Sequence, residues 1–241
     1  MRFYLFILAL TLTTTLAGQT QTDELLGAWE SSFFDAQGRR SQLTMTITPE
    51  YMVMTAFNKA SGEFISTLGG RWRADYTTFS LSYDFDSTDS TNVGGTIAIP
   101  YRITGSVLIF NNDKFWTRTD RLKNAPLAGA WQITGRKRDG VMQDLRERAA
   151  GPRKTVKILS GSRFQWIAFD TQKKKFIATG GGSYSTSGKG LYIERIEYFS
   201  RDPARARQQL SFDFKRMKDD WVHRGLSSRG EPIHEVWSKV K

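Results

Sequence analysis

The chain has 241 residues, no cysteine, and 35 Lys and Arg against 24 Asp and Glu, a formal net charge of +11. Without cysteine it has neither disulfides nor thiolate metal sites, and it is long enough for one large or two small hydrophobic cores. The charge is divided unevenly: residues 23–120 carry eight cations and twelve anions, and residues 121–241 carry twenty-six and twelve.

Residues 1–18, MRFYLFILALTLTTTLAG, set one Arg before an apolar run and a small-residue end. That pattern predicts a signal peptide, hence a secreted protein, periplasmic or extracellular. No other stretch is long and apolar enough to span a bilayer, so a mature chain without a transmembrane segment is expected.

The rest alternates apolar and polar residues between Gly, Asn, Asp and Ser clusters, which predicts strands throughout. In the first half they fall at 26–33, 41–48, 51–58, 63–73, 77–85, 95–102, 106–111 and 114–119. In the second they fall at 129–137, 153–159, 163–169, 175–185, 191–199, 208–216, 220–225 and 233–239. Eight strands per half is a number at which an antiparallel sheet closes and leaves no edge. The halves repeat one another: LLGAW at 25–29 matches PLAGAW at 126–131, FNKASGEFISTLGGRW at 57–72 lies over FDTQKKKFIATGGGSY at 169–184, and FWTR at 115–118 corresponds to VWSK at 236–239. The patternless RLKNAPL at 121–127 is the linker. The expected organisation is a signal peptide at 1–18, a first barrel at 23–120 and a second, basic barrel at 127–241.

A Gly-x-Trp on the first strand, eight meandering antiparallel strands and a cation near the end of the last resemble the lipocalin-like (calycin) superfamily, and bacterial secreted lipocalin-like proteins of unassigned function in particular. The resemblance implies an all-β fold of two tandem eight-stranded up-and-down barrels, each with a Trp at its base under a cation from the chain end. By that resemblance Trp29 pairs with Arg118, and Trp131 with Lys239. A cation suits the electron-rich indole face.

Between the first two strands of the second half, GRKRDGVMQDLRERAAGPRKT at 135–155 inserts extra residues, with a helical turn expected at 142–149. Calycins place a lid over the barrel mouth at this connection. Arg136, Lys137, Arg138, Arg146, Arg148, Arg153 and Lys154 would give such a lid a positive rim suited to a carboxylate, phosphate or sulfate. An unstructured basic loop accounts for the same residues.

In YIERIEYF, 192–199, both strand faces are mixed, so one of Glu194 and Glu197 must point inward. A buried carboxylate needs partners, and Lys157, Arg163, His223 and Glu235 are the strand residues available. With Trp166, Trp221 and Tyr192 as walls, the expected ligand-binding set is Arg136, Arg138, Lys157, Arg163, Trp166, Tyr192, Glu194, Glu197, His223 and Glu235, with Trp166, Tyr192, Glu194, His223 and Glu235 inward. Neither metal nor cofactor is expected. His223, His234, Glu231 and Glu235 lack the close helical spacing of hydrolytic zinc motifs. TGGGS at 179–183 lies within a meander rather than between strand and helix, so it reads as a bulge and not as a phosphate cradle.

Three functions fit these residues. The first is non-enzymatic binding of a small amphiphilic or anionic molecule in the second barrel. The second is docking of the basic half on an anionic envelope surface, and the third is acid–base catalysis by a Glu and His223. Nucleic acid is not an expected partner, since the basic runs lack interleaved aromatics.

Overall fold

The computed structural model describes residues 22–35, 38–122 and 125–240. The expected signal peptide lies outside the described residues. After a helical turn at 22–25, eight strands follow: β1 (Gly27–Phe34), β2 (Arg40–Ile47), β3 (Met52–Asn58), β4 (Phe64–Ala74), β5 (Thr78–Asp86), β6 (Thr96–Thr104), β7 (Val107–Phe110) and β8 (Lys114–Asp120). They pair in sequence order, and β1 pairs with β8 to close an antiparallel barrel. The second half has β9 (Gly129–Arg138), β10 (Val141–Asp144), helix α1 (Arg146–Ala150), β11 (Arg153–Leu159), β12 (Arg163–Asp170), β13 (Lys175–Thr186), β14 (Leu191–Phe199), β15 (Gln209–Met217), β16 (Asp220–Leu226) and β17 (Pro232–Lys239). Here β9 pairs with both β11 and β17, closing a second eight-stranded barrel, while β10 folds back on β9 as an added hairpin. The fold is all-β, two closed barrels in tandem, and it fits a lipocalin-like architecture. The expected helical turn at 142–149 divides: 141–144 are strand, and the helix begins at Arg146. No helix among the described residues is long and apolar enough to cross a membrane.

Each barrel base is built alike. Gly27 and Gly129 hold φ of +122° and +133°, where a side chain is strained, and a Cβ on Gly27 would run into the Asp120 carbonyl. Two residues on, Trp29 and Trp131 are fully buried, and each donates its indole N–H at 2.8 Å to a carbonyl four residues back, that of Leu25 or Leu127. Arg118 lies 3.9 Å over the Trp29 ring and bonds the Leu26 and Glu24 carbonyls. Over Trp131 the cation is Arg216 of β15, at 4.8 Å, rather than Lys239. Lys239 is only the strand neighbour of Trp131, whereas Arg216 brings a planar guanidinium that stacks and also bonds the Pro126 carbonyl.

The first barrel is filled by an apolar core of Trp29, Met45, Phe79, Leu81, Leu108 and Phe110 with their neighbours. A second core lies between the barrels, where Tyr51, Val53 and Phe85 of the first meet Val156, Ile167 and Phe169 of the second. The Phe85 and Phe169 rings meet tilted by 36°, 5.0 Å between centroids. In the same buried layer the Gln165 amide bonds Thr55, Thr67 and Thr179 at 2.8–3.0 Å. At the end of β8, Asp120 accepts bonds from Ser160, Gly161 and Ser162 in the β11–β12 turn. The barrels therefore share one interior surface with its polar groups satisfied.

Candidate functional site

The interior of the second barrel, unlike that of the first, is charged. Lys157 on β11 is buried and bonds Glu194 of β14 at 2.8 Å, and the Tyr192 hydroxyl donates to the same carboxylate oxygen at 2.8 Å. Lys157 Nζ also lies 5.0–5.6 Å from the ring centroids of Trp237, Tyr192 and Trp221. Opposite stands a second pair: His223 Nε2 of β16 is 2.9 Å from Glu235 Oε2 of β17, a strand neighbour in register. Trp237 donates to that oxygen at 3.1 Å, and Arg136 of β9 bonds the other carboxylate oxygen at 2.6 Å and 3.1 Å.

Burial lowers the His223 pKa and the Lys157 charge adds to this, outweighing the opposing Glu235 and Glu194, so the imidazole is neutral at pH 7. Burial alone would raise the Glu235 pKa. The His223 bond, then the Arg136 and Lys157 charges, instead hold it at about 2. With Glu235 ionised, His223 carries its proton on Nε2 and leaves Nδ1 as an acceptor, buried and without a partner among the described residues, as is the N–H of Trp221. Burial and the neighbouring Glu194 raise the Tyr192 pKa well above its ordinary value, so its hydroxyl stays protonated.

These groups are packed among rings: Phe212 is 4.8 Å and Trp221 5.0 Å from His223, and Tyr192 meets Trp221 edge-on at 5.4 Å. Rings and the ionic pairs together line this interior. Open space lies at its mouth, in a recess of about 50 Å³ lined by Ile133, Arg136, Leu145, Arg148, Arg153 and Thr155, with Ala149 of α1 at its wall. Leu145 packs on the barrel core and Lys154 Nζ bonds the Ala149 carbonyl at 3.1 Å, which fixes the short helix beside the opening.

The structure thus gathers Arg136, Lys157, Tyr192, Glu194, His223 and Glu235 in one connected network. Trp166 points inward but is half-buried, T-stacked on Phe199 beside the core. Three expected members lie elsewhere. Arg163 and Glu197 do not enter the barrel: they bond each other at 2.7 Å and 2.9 Å, with Glu30 of the first barrel 3.7 Å from Arg163. Two-residue alternation puts them there, since Glu194 and Ile196 of β14 and Phe164 and Trp166 of β12 face the core; a bulge opposite Gly181 and Gly182 then turns Tyr198 onto Phe57 of the first barrel and leaves Phe199 packed inward. Arg138 is exposed at the end of the β9–β10 hairpin, away from the network. Trp237, which the repeat marks only as part of VWSK, and Arg216, which the sequence patterns do not single out, are the additional contributors. Arg216 is indistinguishable by pattern from the adjacent Lys215 and Lys218. Among the described residues no group of three or more His, Cys, Asp or Glu is placed to hold a metal ion, and His234 accepts from Arg224 at 3.2 Å.

No curated protein matches the chain. Residues 126–241, the whole of the second barrel, match the family model of a domain of unknown function, DUF4488.

Proposed function

We propose that the protein is an exported, non-enzymatic binding protein whose second barrel receives a small anionic ligand, through a carboxylate or phosphate group, at the recess under α1. The observation that carries this reading is the convergence of Arg136, Arg148 and Arg153 on one opening. Guanidinium groups bind such anions through paired, charge-assisted bonds. A recess of about 50 Å³ has room for a few water-sized groups, the scale of a head group rather than a long chain. The resemblance to calycins, whose ligands enter at this end, agrees.

The Glu235–His223 pair has the form of an acid–base dyad, yet the His223 ring is 1% exposed among Trp221, Phe212 and Trp237. A substrate has no route to Nδ1, which favours a structural role for the pair. Titration calorimetry of the full chain with phosphate and with acetate tests the binding reading. Reversing Arg148 and Arg153 together to Glu should weaken binding by about tenfold or more, because like charges then face the anion. Unchanged affinity in that variant would sink the proposal.

A further inference from the structure

A larger pocket, of about 300 Å³, lies where the barrels meet, at the lower end of the size range of small-molecule sites. We infer that this pocket is a second binding site, for an amphiphilic anion with a compact apolar body, and that it is formed jointly by the two barrels.

Its floor is mostly apolar, with the buried Phe57 of β3 and Ile196 of β14 directly behind it and Ser183 at its side. One wall is the β3–β4 turn of the first barrel. There the Asn58 side chain accepts from the Ala60 and Ser61 amides at 3.0 Å, and Gly62 sits at φ +77° directly against Ala206 of the second barrel. The facing wall is the β14–β15 connection, where Arg207 reaches back to bond the Ala60 carbonyl. The two barrels thus clasp each other at the pocket edge.

Three cations rim it: Lys59 from the first barrel, Arg195 and Arg207 from the second. All three are exposed, and the side chains of Lys59 and Arg195 have no ion pair or hydrogen bond among the described residues. The one carboxylate in the lining, Glu197, is already bonded on both oxygens by Arg163, so it does not neutralise the rim. An apolar floor beneath unpartnered cations is complementary to a molecule with one carboxylate or sulfonate on an apolar body. This site does not depend on the mouth recess, whose lining shares no residue with it.

The test uses the full chain and the fluorescence of 1-anilinonaphthalene-8-sulfonate, with octanoate as competitor. The wild type should enhance the dye's emission at one site, displaced by octanoate and not by inorganic phosphate. Lys59→Glu with Arg195→Glu should weaken the dye by about tenfold or more, since rim charges of the wrong sign repel the anion. Both positions are exposed, and unchanged circular dichroism would establish that the fold is retained. Arg148→Glu with Arg153→Glu should leave dye binding intact, separating this site from the mouth. No enhancement in the wild type, full binding in the Lys59/Arg195 variant, or loss in the Arg148/Arg153 variant would each overturn the inference.

Discussion

Glu235 joins the outside of the second barrel to its inside: one oxygen holds the half-exposed Arg136, the other holds the buried His223. Such a group ties stability to pH. The folded state keeps His223 below its ordinary value of 6.5, so the unfolded chain takes up its proton first, and stability falls as pH drops through 6.5. Glu235 is likewise held down, from 4.5 to about 2, so its contribution is present above 4.5 and is lost between 4.5 and 2. That second loss is on the order of 3 kcal/mol. Urea midpoints should therefore decline from pH 7.5 to pH 4.5 and again below it. His223→Gln keeps a donor for Glu235 without a titrating ring, and should flatten the first decline while narrowing the second, because the ring's charge also helps hold Glu235 down. An identical slope in that variant would assign the pH dependence elsewhere.

At the scale of elements, the paired glycines matter more than the helix. Gly69–Gly70 and Gly181–Gly182 sit at equivalent bulges in the two barrels, opposite Tyr83 to Phe85 and Ile196 to Tyr198. At Gly70 and Gly182 the partner strand's carbonyl, of Ser82 or Arg195, occupies the space a Cβ would fill. The extra residue bends each strand, and in β14 it changes which side chains face inward beyond it. Gly182→Ala should thus cost more than about 2 kcal/mol, since backbone rather than a flexible side chain must give way. Thermal unfolding measures this, and a Tm within 1–2 °C of wild type, roughly what a few tenths of a kcal/mol would shift it, would refute the packing account.

For the whole molecule, the two barrels act as one object because their contact is both apolar and polar. Gln165 is the centre of its polar part, with its amide shared among three threonines from both barrels. Gln165→Ala would remove three buried bonds across the barrels, while Thr55 and Thr67 keep each other and Thr179 keeps the Trp166 carbonyl, at about 1–3 kcal/mol. Urea unfolding should register that loss, and should show whether the barrels then melt separately. The joint pocket makes the same point for function: the acidic first barrel supplies Lys59, Phe57 and Gly62 to a site the basic one cannot form alone.

Local pattern sufficed for much of this. Alternation and turn residues determined the strands, their number determined closure, and the repeated Gly-x-Trp determined the two bases, because each depends on neighbours along the chain. The charged interior was legible in part, since a two-residue period obliges one of Glu194 and Glu197 to be buried and Lys157, Arg163, His223 and Glu235 are strand residues that could meet it. What the period cannot carry across is a bulge, which turned Tyr198 to the barrel interface and Phe199 inward. Nor does it reveal contacts distant in sequence: Arg216 over Trp131, Arg136 on Glu235, and the pocket between barrels exist only because closed sheets bring unrelated segments together. The sequence alone determined two barrels and an uneven charge; the tertiary structure decided which charges meet, since side-chain partners across a barrel are set by register and closure rather than by spacing.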